Sequence, residues 1–140
     1  MRKKGENVTY IYHYNSPIGG LLLASDESAL IGLWLDGEKY YANSLPLEHT
    51  QGETDVIRDT VRWLDIYFSG VCPGFTPPLR PAGSPFRQSV WRLLMQIPYG
   101  CTVSYGELAR RLAHERGIER MSAQAVGGAV GHNEISIIIP

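Results

Sequence analysis

Side chains able to carry covalent or metal chemistry are few in this 140-residue chain, and they are scattered: Cys72, Cys101, His13, His49, His114 and His132. The cysteines have neither metal-ligand nor disulfide-framework spacing, and the histidines form no triad or ligand set, so no metal and no cofactor is expected. Cys72 lies in a stretch rich in proline and glycine, and Cys101 in a turn; neither setting favours an activated thiolate. The run S-A-Q-A-V-G-G-A-V-G (122–131) is more informative. Gly127 and Gly128 inside a helix cost about 1 kcal/mol each relative to alanine, so something requires their small size. Close packing against another backbone is one explanation, and close approach to a ligand is the other. A helix with side chains is about 10–12 Å across while the DNA minor groove is about 6 Å wide, so a helix of small residues is one of the few kinds that fit it, with the groove opened.

Several elements must position that run. V-T-Y-I-Y-H-Y (8–14), L-L-L-A-S (21–25) and A-L-I-G-L-W-L (29–35) read as three antiparallel strands. S-P-I-G-G turns between the first two, and D-G after the third is a hairpin signal. Residues 54–68 repeat Ile57, Val61, Leu64 and Phe68 on one face of a helix. The segment 69–85 holds five prolines and three glycines and cannot continue that helix. Ser84 caps a helix opening at Pro85, with Phe86, Val90, Leu93, Leu94 and Ile97 as its apolar stripe and P-Y-G (98–100) as its stop. S-Y-G-E (104–107) is a capping box in which Ser104 and Glu107 satisfy each other's free amides. A short connection (114–121) leads to the 122–131 helix, which suggests a helix-turn-helix. I-S-I-I-I then reads as a strand entering a core.

Composition, 44% hydrophobic and 19% charged, is that of an ordinary globular protein. No run approaches the roughly 18 apolar residues of a membrane span. The start, M-R-K-K-G-E, is not followed by the apolar stretch of a signal peptide. With unpaired cysteines this predicts a reducing, cytoplasmic location and no membrane partner. Residues 1–83 carry 7 Lys/Arg against 10 Asp/Glu (−3) and residues 84–140 carry 6 against 4 (+2). That imbalance fits a nucleic-acid partner for the second half, and solvated helix faces equally well.

S-P-F-R-Q-S-V-W-R-L-L-M-Q-I-P-Y-G-C-T-V-S-Y-G-E-L-A, followed by A-V-G-G-A-V-G-H-N and I-I-I-P, resembles the O6-alkylguanine-DNA alkyltransferases, the methylated-DNA–protein-cysteine methyltransferases. S-P-I-G-G-L-L-L-A-S and F-T-P-P-L-R fit the same family, so the resemblance covers nearly the whole chain. It implies an α/β ribonuclease-H-like N-terminal domain (1–78) and a mainly α, winged-helix-like C-terminal domain with a helix-turn-helix (79–140). It implies double-stranded DNA containing O6-alkylguanine as partner, bound through the minor groove with the damaged base turned out of the stack. A cysteine thiolate then takes the alkyl group in one irreversible turnover, the thiolate being generated by a histidine acting through water and held by a glutamate.

Residue by residue, the resemblance implies that Tyr105 helps push the nucleotide out and that Ser104 stands near the DNA backbone. Ser122 and Ala123 match the start of the recognition helix, and Asn133 the asparagine that ties the active-site turn. Gln124 stands where the family often has the arginine that fills the gap left by the extruded base. Glu134 stands where the family commonly has proline; a carboxylate there is expected to face and repel phosphate. The family pattern continues from I-I-I-P into Cys-His-Arg, so the nucleophile is expected immediately after Pro140 and is not among these 140 residues. The chain as given is therefore expected to be inactive in alkyl transfer, and its terminal apolar strand to favour self-association. A non-catalytic, lesion-binding relative of the family is the alternative, and a helix-turn-helix transcription factor a weaker third.

Overall fold

The computed structural model describes residues 8–140; the M-R-K-K-G-E start lies outside the described residues. The chain forms two compact units. The first runs to Ala82 and includes Glu134–Ser136, and the second comprises Gly83–Asn133 and Ile137–Pro140.

In the first unit β1 (Tyr10–Ser16), β2 (Gly19–Ser25) and β3 (Leu30–Leu35) form the expected antiparallel meander. The β1–β2 turn is tight, and the Ser16 hydroxyl donates to the Gly19 carbonyl at 2.6 Å. A short β4 (Thr50–Gln51), not foreseen from the sequence, adds in parallel beside β1, so the sheet order is β3-β2-β1-β4. Asp36-Gly37 does not make a hairpin. The next residues, E-K-Y-Y-A-N-S, have no strand alternation, and their backbone closes successive turns: Tyr41 N to Glu38 O, Asn43 N to Tyr40 O and Leu45 N to Ala42 O.

α1 (Asp55–Phe68) is capped by Thr54, whose hydroxyl accepts from Ile57 N at 3.0 Å. Its buried face is Val56, Ile57, Thr60, Trp63 and Leu64. That face is rotated from the expected stripe, because Thr60 turns its hydroxyl onto the Val56 carbonyl and can be buried.

The β3 edge is covered twice. Leu30 pairs with Leu79, with Leu30 N donating to Pro78 O and Arg80 N to Leu30 O, both at 2.8 Å. Leu33 pairs with Ile135, with Leu33 N donating to Glu134 O and Ser136 N to Leu33 O, both at 2.9 Å. Covering segments of this kind keep an edge from pairing with other chains.

The second unit packs α2 (Pro85–Leu94), α3 (Tyr105–Arg116) and α4 (Ala123–Gly131). Each begins at a serine whose hydroxyl accepts the amide of the third residue on: Ser84 from Arg87, Ser104 from Glu107, Ser122 from Ala125. Only half of the predicted capping box forms, because the Glu107 carboxylate is engaged by Arg110 at 2.8 Å and Arg111 at 3.2 Å instead. Gly117, left-handed at φ 65°, ends α3, and Ile118 N reaches back to Ala113 O. The α2 core includes Trp91, which the stripe read from the sequence omitted although it lies one step from Val90 and three from Leu94.

The C-terminal I-S-I-I-I is not a strand. Only Ile135 makes a bridge; Ser136–Ile138 form a turn in which Ile137 is left-handed at φ 72°. Ile135, Ile138 and Ile139 are buried, so the exposed apolar strand edge expected here is not found among the described residues.

Candidate functional site

The site builds from the small-residue helix. Along α4, Val126 and Ala129 are buried, while Gln124, Gly128 and Gly131 are exposed at i, i+4 and i+7. The two unexplained glycines separate here. A Cβ at Gly127 would come within 3.1 Å of Tyr105 Cδ2 and 3.2 Å of Cε2. Gly127 is therefore the seat for the Tyr105 ring. At Gly128 a Cβ would meet nothing within 4 Å, so no packing among the described residues accounts for its small size.

Tyr105 opens α3, stays 51% exposed and rests on α4 at Gly127. Ser122 and Ala123 lie exposed at the start of α4, and Gln124 follows them on the helix surface. Ser104 is exposed beside Tyr105, at the α3 cap. Both cap hydroxyls accept an amide and retain a proton to donate outward. The second unit thus brings Tyr105 onto the same helix as Ala123 and Gln124.

Two hydrogen bonds fix α4. Trp91 Nε1 donates to Ala129 O at 2.8 Å in a buried setting, and His132 Nδ1 lies 2.7 Å from Gly128 O at the C-terminal cap. Beside the start of α4 is a depression of about 460 Å³, lined by Arg110, His114, Ile118, Arg120, Met121 and Ala123 among others. The second unit (83–133 and 137–140) holds six Arg and three Glu, a balance of +3.

Glu134 is placed otherwise than expected. Its side chain is buried, 3% exposed, within the first unit. Its Oε2 accepts from Trp34 Nε1 at 2.8 Å and Ser44 Oγ at 3.0 Å, and its Oε1 from Asn43 Nδ2 at 3.3 Å. A carboxylate so occupied does not face phosphate, and the expected repulsion falls away. Asn133, next to it, donates from Nδ2 to Ile139 O at 2.8 Å. Nothing in local sequence announces the Glu134 partners, which lie 90 to 100 residues away.

Cys72 and Cys101 are exposed free thiols. Among the described residues neither hydrogen-bonds a histidine, and no cluster of three His, Cys, Asp or Glu is arranged to hold a metal.

Residues 9–81 match the family described as 6-O-methylguanine DNA methyltransferase, ribonuclease-like domain, and residues 85–140 its DNA-binding domain. The chain belongs to the 6-O-methylguanine DNA methyltransferase family. It is 39% identical over 132 residues to the methylated-DNA–protein-cysteine methyltransferase of Haemophilus influenzae, covering 94% of this chain and 70% of that protein. The protein of the same name from Methanosarcina acetivorans is 36% identical over 132 residues, covering 94% and 80%. Among solved structures, Mycobacterium tuberculosis OGT in complex with DNA superposes with a TM-score of 0.77 at 35% identity, covering 94% of this chain and 74% of that one. The O6-methylguanine methyltransferase of the same organism superposes with a TM-score of 0.78 at 35% identity, covering 95% and 76%. The family's two-part fold, a small mixed sheet unit followed by a helical unit, is the fold found here.

Proposed function

We propose that this chain recognises O6-alkylguanine in double-stranded DNA, and that its C-terminal domain (79–140) does so by laying α4 in the minor groove. The observation that carries this is Gly128: exposed, with open space at its Cβ position, in line with Gln124 and Gly131. A helix face without side-chain bulk suits a narrow groove. Tyr105, exposed and seated on α4, is suited to help push a nucleotide out of the stack. Gln124 offers both a donor and an acceptor to the unpaired partner base. Ser104 and Ser122 supply hydroxyl donors for phosphate oxygens, and Ala123 lets the start of α4 approach closely. Asn133 ties the turn after α4. A major-groove transcription factor is disfavoured, because Gln124 is the one long side chain on the exposed stripe and Gly128 and Gly131 offer nothing to read base edges.

The reaction of the family is alkyl transfer to a cysteine, and we assign no residue of 1–140 as that nucleophile. Among the described residues Cys72 and Cys101 have no partner suited to activating a thiol. The 140-residue chain is therefore inactive in transfer by this reading. Self-association through the C-terminal segment draws no support from its buried isoleucines. Free thiols and a DNA partner favour a cytoplasmic location, associated with the nucleoid if the source is bacterial.

The test is binding to duplexes with and without O6-methylguanine across a salt series, with intact mass recorded afterwards. A preference for the lesion, weakened by Tyr105→Ala and by Gln124→Ala, is expected, with no gain of a methyl group. Equal affinity for both duplexes would overturn the recognition reading. A stoichiometric methyl gain would overturn the inactivity.

A further inference from the structure

Glu134 is buried in the first unit. It is a buried carboxylate whose described ligands are the three neutral donors Trp34, Asn43 and Ser44, and no ion pair with Lys or Arg accompanies it among the described residues. A buried charge is tolerated only when hydrogen bonds replace its hydration, so removing its acceptors strands polar groups in the interior. The backbone on either side is tied as well, through Glu134 O and Ser136 N to Leu33, and Ser136 Oγ donates to Glu38 Oε2 at 3.1 Å.

Immediately after this anchored tripeptide, Ile137 takes φ 72°. A β-branched residue in the left-handed region is a backbone outlier, and such strain persists only where the surroundings over-determine it. Two ties bracket it: the Glu134 cluster on one side and the Asn133–Ile139 bond on the other. Beyond it Ile138 and Ile139 are buried.

We propose that Glu134 is a positioning residue: its buried carboxylate holds 134–136 on the β3 edge and so fixes the strained turn at Ile137 that directs Ile138–Pro140. The path after α4 is thus defined by long-range hydrogen bonds. That the path matters for handling the lesion rests on the function proposed above; that Glu134 sets the path does not.

The test uses the 140-residue chain with Glu134→Ala and Glu134→Gln. Glutamine keeps a carbonyl for Trp34 and Ser44, and its amide can face Asn43 once that side chain flips to present oxygen. Amide exchange is read at Ser136 and Leu33, with Leu22 and Leu23 in β2 as internal references, and Ile137 13C shifts report the left-handed backbone. Expected in the alanine variant is a loss of protection of about tenfold or more at Ser136 with the β2 amides unchanged, and Ile137 shifts moving out of the left-handed range. The glutamine variant restores both. Unchanged Ser136 protection and Ile137 shifts in the alanine variant, or an equal loss throughout the sheet, would overturn the anchor. The same variants are then titrated with lesion and undamaged duplexes, where alanine lowers the preference and glutamine keeps it. A loosened segment with the preference intact would overturn the positioning role. A parent chain with no preference would sink the recognition reading, and the exchange data would still decide the anchor.

Discussion

The ring of Tyr105 lies on Gly127, close enough that a methyl group there would stand 3.1 Å from Cδ2. This contact separates two glycines that are indistinguishable by helix propensity.

Alanine at either position gains about 1 kcal/mol of helix propensity. At Gly128 nothing opposes that gain, so Gly128→Ala raises the melting temperature while weakening duplex binding, because the new methyl points where the groove floor would be. At Gly127 the gain is opposed by the Tyr105 ring, so Gly127→Ala leaves stability near the parent value. It displaces the ring and lowers lesion binding in the manner of Tyr105→Ala. Thermal melts beside fluorescence-anisotropy titrations check both. A stabilised Gly128→Ala with full DNA affinity would show that α4 does not enter the groove.

Trp91 fixes α4 through its indole bond to the Ala129 carbonyl. Trp91→Phe keeps most of the ring volume and loses one of the two donors to that carbonyl, the His132 amide remaining at 3.3 Å, at an expected cost of about 0.5–1.5 kcal/mol. Urea unfolding measures this. A cost below the scatter of the fit would show that the existing bond from the His132 amide satisfies the carbonyl by itself.

Asp26 is buried at the β2–β3 turn. Its Oδ1 accepts from Ser28 N at 2.8 Å, Ser28 Oγ at 2.9 Å and Ala29 N at 2.9 Å, and the carboxylate is ion-paired with Arg80. Arg80 is half exposed and can rehydrate when its partner is removed, so the turn amides decide the outcome. Asp26→Ala is expected to destabilise by about 2–4 kcal/mol and Asp26→Asn by roughly half of that. Equal losses in the two variants would assign the effect to charge rather than to the turn.

Glu38 supplies a pH dependence. Burial raises its carboxyl above the usual range, and the nearby Glu134 charge acts in the same direction. The bonds from Ser136 and from the Leu35 backbone oppose them without cancelling them. Folded Glu38 therefore holds its proton more tightly than unfolded Glu38, so its contribution is fully present below the unfolded pKa and is lost as pH rises through the raised folded value. Unfolding midpoints from about pH 4 to 7 should show Glu38→Gln with a flatter profile than the parent and a relative gain at the upper end. Parallel profiles would remove Glu38 as the cause.

Much of this protein is legible in sequence because it is local. Ser84, Ser104 and Ser122 mark three helix starts, since a cap is decided by residues three apart. The strand pattern of 8–35 marks the meander, and the dense motifs of 84–140 mark the family. The misread places are those where a different partner won, or where none was available. Glu107 prefers Arg110 and Arg111 to its own cap. Asp36-Gly37 leads into stacked turns because no strand comes after it to pair. Four closely spaced isoleucines look like a strand, yet only Ile135 finds an edge to join.

The sequence by itself determined which segments are helices and most of the strands, the helix that carries Gln124, Gly127 and Gly128, and the family to which the chain belongs. Only the tertiary structure decided that Gly127 serves Tyr105 while Gly128 faces open space, and that Glu134 turns inward to Trp34 rather than outward. The reason is distance along the chain. Caps and periodicities are settled by neighbours within a turn or two, whereas the direction of a buried carboxylate is settled by donors about a hundred residues away, brought together only by the fold.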